Sequence, residues 1–194
     1  MNYVRMSKVV MKQIPNVLTF IRFVLVIPFL FCIFHKQFIY AFYIFLIAGV
    51  TDALDGWLAR GFSWKTDLGS IMDPLADKIL ISASFLSLAW LQVLPWWLVL
   101  LIFARDLTIF LGVVAWYLLI PKKPHLNPTC ISKVNTVFQL LLVLLCLYDQ
   151  AFGLPYLQWI TVCMILTTVT TSISFVDYVW HWGNKAWQQR ISRV

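Results

Sequence analysis

Residues 51–78 read TDALDGWLARGFSWKTDLGSIMDPLADK, and this stretch decides how the rest of the chain is understood. It holds five of the eight acidic residues of a 194-residue chain that has no Glu. Asp52 and Asp55 are three apart and Asp73 and Asp77 four apart, so on helices each pair shares a face. Apolar runs lie on both sides. The first pair closes one run and the second pair opens the next, and a short connection brings four carboxylates together at a membrane boundary. Such a cluster repels itself and is costly to bury without a counter-charge. Divalent cations supply one, and hard oxygen ligands select Mg²⁺ or Mn²⁺, with two ions able to bridge the site and clamp a diphosphate.

The flanking residues fit a phosphate-bearing ligand. Gly56, Ala59 and Gly69 keep space open beside the acids, Arg60 offers a forked contact to phosphate, and Thr66 offers a hydroxyl. A plainer reading pairs the acids with Arg60, Lys65 and Lys78. It accounts for one aspartate at a helix end but not for two face-matched pairs. Asp67 falls outside both pairs and is expected in the loop.

Working outward, the chain is 61% apolar and 12% charged, against roughly 25% charged for a soluble domain. Six spans of about 20 residues are predicted: 14–34, 38–58, 72–92, 95–120, 130–148 and 155–178. The expected fold is all-α, an integral membrane bundle of six transmembrane helices forming a single domain over 1–194. Residues 1–13 form a short amphipathic helix lying on the membrane surface. The net charge of +7 does not point to nucleic acid, because the basic residues sit in short segments between apolar runs. Arg5, Lys8, Lys12, Arg60, Lys65, Lys122, Lys123, Lys133, Lys185, Arg190 and Arg193 place both termini and the loops after spans two and four in the cytoplasm. The acidic site falls on that side: a bacterial inner membrane, or the matrix face of a mitochondrial one. Cys32, Cys130, Cys146 and Cys163 lack metal-ligand spacing, and His35, His125 and His181 suit the interface, as do the Trp clusters.

The pattern Asp52-x2-Asp55-Gly56-x2-Ala59-Arg60-x8-Gly69-x3-Asp73-x3-Asp77 resembles the complete signature of the CDP-alcohol phosphotransferases. The resemblance implies that Asp52, Asp55 and Asp73 hold two metal ions, and that Asp77 completes the shell and acts as general base on an acceptor hydroxyl. It further implies that Asn16 and Thr19, in IPNVLTFIR, join Gly56, Ala59, Arg60, Thr66 and Gly69 in binding CDP-diacylglycerol, that CMP leaves, and that the protein is a homodimer among membrane lipids.

The acceptor is read elsewhere. LGSIMDPLADKILIS (68–82), Ala104-Arg105-Asp106 and PTCISKVNTVFQL (128–140) resemble the CMP-forming cardiolipin synthases, which implies phosphatidylglycerol as acceptor. Phosphatidylglycerophosphate synthases share the opening stretch, but more often carry Glu where Asp106 stands and a second Lys where Asn135 stands. Glycerol 3-phosphate is the alternative acceptor. Arg105 and Lys133 are the candidate acceptor ligands, with an internal Arg105–Asp106 pair as the plainer reading of the first. Arg22 either lines the site or snorkels to the interface. The non-enzyme alternative is a cation transporter with an acidic site, which leaves Gly56, Ala59, Arg60 and Gly69 unexplained.

Overall fold

The computed structural model describes residues 20–62, 67–119, 130–153 and 157–191, with side chains for 20–51, 78–112, 131–153 and 158–180. The amphipathic arm expected at 1–13 lies outside the described residues. Six helices follow one another: α1 Phe20–Phe34, α2 Phe38–Phe62, α3 Asp67–Trp90, α4 Trp96–Leu119, α5 Cys130–Phe152 and α6 Leu157–Ile191. No strand occurs among the described residues.

The helix ends follow local chemistry. After α1 the chain turns at Lys36, whose φ is 57°. Lys36 N–H donates to Ile33 O at 3.0 Å and Gln37 N–H to Cys32 O at 2.8 Å, the paired bonds of a left-handed helix cap. Gln92, at φ 60°, ends the turn after α3, and Gly153, at φ 65°, closes α5 with its N–H on Asp149 O at 2.8 Å.

Two expected boundaries are corrected. α3 starts at Asp67, five residues before the expected Met72, so Asp67 is helical and not a loop residue. The helix carries Pro74 within it, and an Asp at the first position complements the helix dipole. α6 runs 35 residues to Ile191, so Lys185 and Arg190 are helical and not in a free tail. At 1.5 Å per residue that is about 52 Å, well beyond a hydrocarbon core of about 30 Å. Nothing in Asn184–Ile191 stops a helix, since the segment lacks proline and glycine.

The helices form two units. The first holds α1, α2, α3 and α5 from Val143; the second holds α4, α5 up to Leu142, and α6. In the first, Phe29 meets Phe45 at 5.9 Å between ring centres, and Phe42 meets Tyr148 and Phe152 at 5.6 and 5.8 Å. Ser84 and Ser87 are buried and donate to the Leu80 and Ser84 carbonyls of their own helix. In the second, α4 packs on α6.

Both units turn apolar residues outward. Ile27, Trp90, Leu100, Phe110, Val137, Trp159, Val176 and Trp180 are exposed, while Arg22, Arg105, Asn135, Gln139, Thr167, Thr171 and Ser174 are buried. A surface of this kind belongs in lipid, where apolar atoms need no shielding and backbone polar groups are met inside each helix. Ile131–Phe152 and Gln158–Trp180 are long and apolar enough to cross a bilayer, and only 33% and 22% of them is buried, unlike the core helix of a soluble protein. The protein is an all-helical integral membrane protein.

One close approach joins α4 to α6. A Cβ at Gly112 would lie 2.6 Å from Tyr178 Oη, which donates to Ile109 O at 2.9 Å. Gly112→Ala is expected to push Tyr178 off that carbonyl and destabilise the protein by about 1–3 kcal/mol, the usual cost of overpacking. The loss is read as a lower melting temperature in detergent. Tyr178→Phe, which keeps the ring and loses only the hydroxyl, should cost less.

Candidate active site

Two helix ends present the acidic motif. Asp52 and Asp55 lie ten and seven residues before the end of α2 at Phe62, and Asp73 and Asp77 lie six and ten residues after the start of α3 at Asp67. Residues 63–66, between the two helices in sequence, lie outside the described residues. At 100° per residue, Asp52, Asp55, Gly56, Ala59 and Arg60 fall within an arc of about 140° on α2, and Gly69, Asp73 and Asp77 within about 80° on α3. The backbone therefore puts each acid pair and its flanking small residues on one helix face, both in the first unit. Side-chain placement from 52 to 77 lies outside the described residues, as do Asn16, Thr19 and Thr66.

Arg105, on α4, has a described environment. It is 3% exposed, inside a largely apolar helix. Nη1 donates to Asp106 Oδ1 at 2.8 Å, Nε and Nη2 donate to Ser174 Oγ at 3.2 and 2.8 Å, and Nη2 also donates to Ser132 Oγ. A guanidinium has five N–H groups. These bonds engage four of them and leave one on Nη1. The Arg105–Asp106 pair is thus present, and a two-pronged grip on phosphate by Arg105 requires giving up an internal bond. Lys133, one residue beyond Ser132 on α5, is exposed and has no hydrogen bond or ion pair among the described residues. Arg22, on α1, is 1% exposed and does not snorkel.

Several polar residues around Arg105 carried no functional expectation. Asn135 accepts from Thr171 at 2.8 Å and Thr170 at 3.0 Å. Thr167 donates to the carbonyls of Cys163 at 2.8 Å and Phe138 at 3.3 Å. Ser132, Asn135 and Gln139 at spacings of three and four on α5, facing Thr167, Thr171 and Ser174 at four and three on α6, are the signal that could have located this polar seam.

The family model for CDP-alcohol phosphatidyltransferase matches residues 12–175. The chain belongs to the CDP-alcohol phosphatidyltransferase family. The match takes in the whole acidic motif, Arg105 and the α5–α6 seam. Among relatives, a CMP-forming cardiolipin synthase from Rattus norvegicus is 35% identical over 193 residues, covering 90% of this chain and 63% of the relative. The Homo sapiens protein of the same description is 35% identical over 190 residues, with the same coverage. A probable phosphatidylglycerophosphate synthase from Mycobacterium tuberculosis is 33% identical over 173 residues, covering 86% of this chain and 80% of the relative. The chain thus spans less than two thirds of the length of the rat and human proteins. In this family member the donor set fits divalent cations: four carboxylates on two faces, with no His or Cys in the motif.

Proposed function

We propose that this phosphatidyltransferase joins CDP-diacylglycerol to the free hydroxyl of phosphatidylglycerol, forming cardiolipin and CMP. The observation that carries the reading is the placement of two face-matched aspartate pairs towards the end of α2 and the start of α3, helices consecutive in the chain. With the two helices antiparallel, Asp52 would stand level with Asp77 and Asp55 with Asp73. Asp52, Asp55, Asp73 and Asp77 would hold two Mg²⁺ or Mn²⁺ ions. When bound, such ions neutralise the charge that gathers on a departing phosphate. Gly56, Ala59 and Gly69 leave room for the nucleotide, and Arg60, Thr66, Asn16 and Thr19 bind the CDP group. Asp77 takes the proton of the acceptor hydroxyl as its oxygen bonds to the phosphorus bearing the diacylglycerol. The phosphorus–oxygen bond to CMP then breaks, and CMP keeps the electron pair. Six membrane crossings with the site and both termini in the cytoplasm, and a homodimer, complete the reading.

Phosphatidylglycerol is favoured over glycerol 3-phosphate because the charge of Arg105 is already met by Asp106 and its other partners, Ser132 and Ser174, are neutral. Ser132, Asn135, Gln139 and Ser174 are hydroxyls and amides, and Arg105 is largely engaged internally. A doubly charged phosphate asks for more cations than Lys133 and one N–H of Arg105. The glycerol 3-phosphate reading is kept because the Mycobacterium tuberculosis relative is nearly as similar as the cardiolipin synthases. Labelled CDP-diacylglycerol, offered each acceptor separately with Mg²⁺ or Mn²⁺, decides between them. Product and CMP from phosphatidylglycerol alone are expected; CMP from neither acceptor would end the enzyme reading.

Lys133→Ala is expected to raise the KM for phosphatidylglycerol severalfold and leave that for CDP-diacylglycerol unchanged, in initial-rate assays varying one lipid at a time. Equal effects on the two would place Lys133 outside the acceptor site.

A further inference from the structure

The polar face of α5 carries donors that its neighbours do not use. Ser132 lies at the edge of the bilayer-crossing stretch Ile131–Phe152 and accepts from Arg105, so it marks the level of the guanidinium. Asn135 and Gln139 follow one and two turns farther into that stretch, about 4.5 and 10.5 Å beyond Ser132 at 1.5 Å per residue. Asn135 is fully buried and Gln139 is 1% exposed. Thr171 Oγ1 has no acceptor other than Asn135 Oδ1 among the described residues, which fixes the amide with Nδ2 turned away from the α6 hydroxyls. Neither Asn135 Nδ2 nor Gln139 Nε2 has a hydrogen-bond partner among the described residues.

Each amide nitrogen carries two N–H groups. Four donors are thus unmet in an apolar layer, where leaving them unmade is costly. They call for a partner that only accepts. An acyl-ester carbonyl does so, and it lies in a glycerophospholipid a few ångströms deeper than the phosphodiester. We propose that Asn135 and Gln139 bind the acyl-ester carbonyls of the lipid acceptor whose phosphodiester sits at the level of Arg105 and Lys133. The inference rests on the acceptor reading above and deepens it, because free glycerol 3-phosphate has no ester carbonyl to offer. Both amides are covered, so the lipid reaches them when the side chains packed over the amide nitrogens give way.

CDP-diacylglycerol also carries ester carbonyls, and the test separates the two lipids. The full chain in mixed micelles is assayed with diester and diether phosphatidylglycerol against diester CDP-diacylglycerol, and then with diether CDP-diacylglycerol. Loss of the two hydrogen bonds should raise the KM for diether phosphatidylglycerol about tenfold with little change in kcat. Gln139→Leu and Asn135→Leu should each raise the KM for the diester acceptor and shrink the diester–diether difference. Exchanging the donor for its diether form should change nothing. Equal use of the two acceptors by the unmodified protein overturns the proposal, and a buried water serving both amides would give that result. Sensitivity confined to the diether donor overturns it as well. Retention of diester and diether phosphatidylglycerol on the purified protein, measured by native mass spectrometry, needs neither turnover nor a folded variant. Equal retention sinks the proposal. Selective retention of the diester lipid without CMP release would sustain the lipid site and end the reaction reading instead.

Discussion

Asp77→Asn lowers kcat by about two to four orders of magnitude, the range lost with a general base, while binding of CDP-diacylglycerol stays measurable. Asparagine keeps the size of the side chain and one oxygen ligand but cannot take a proton from the acceptor hydroxyl. The comparison that isolates this role is Asp52→Asn, which also removes one carboxylate charge from the cluster. Removal of charge alone should weaken CDP-diacylglycerol binding at a given Mg²⁺ concentration, and more Mg²⁺ should recover part of the loss. For Asp77→Asn, added Mg²⁺ should restore donor binding but not kcat. Binding is read by equilibrium retention of labelled CDP-diacylglycerol and kcat by CMP release. Near-normal turnover in Asp77→Asn would remove Asp77 as the base and leave it as a metal ligand at most.

The acidic motif was legible because its information is local. Spacings of three and four on a helix put side chains on one face whatever the tertiary packing, and an aspartate in an apolar chain stands out by chemistry alone. The helices were legible for a related reason: apolar runs are interrupted by Pro15, Pro95, Pro121 and the basic segments. The end of α6 was not, because expected spans stop where hydropathy falls, whereas a helix stops where its backbone is no longer supported. Asp67 was misplaced because it falls outside both acid pairs, yet lying off that face does not keep a residue out of the helix.

The polar seam was the least legible part. Serine and threonine within an apolar helix change its hydropathy little, and most of their hydroxyls donate to carbonyls of their own helix. Thr168 donates to Met164 O, for example, and says nothing about neighbours. Arg105 meets Ser174, 69 residues away, and no spacing rule reaches that far. Asn135 drew notice only as a departure from a family pattern. Its burial between two threonines gives that departure a physical content, since a lysine there would have to bring a charge into the place now held by a neutral amide.

Arg105→Ala is expected to destabilise the protein by about 3 kcal/mol, the low end of the cost of removing one partner from a buried ion pair. The substitution removes the Arg105 bond from Asp106 and takes donors from Ser132 and Ser174, which join α4 to both α5 and α6. Asp106 keeps 20% of its side chain exposed, so water softens the loss and holds it from the upper end of the range. Arg105→Lys should recover only part, because an ammonium is a single centre and cannot reproduce the planar fork that serves Asp106 on one side and Ser174 on the other. Arg105→Ala with Asp106→Ala should be more stable than Arg105→Ala alone, because the carboxylate that lost its guanidinium partner is gone. Stability is read from thermal unfolding in detergent, and the acceptor KM is measured on the same preparations. If the double variant regains stability while its KM for phosphatidylglycerol stays high, Arg105 both ties the helices and meets the acceptor with its remaining N–H. A KM that recovers together with stability would make Arg105 a structural tie alone and leave Lys133 as the cation that meets the phosphodiester.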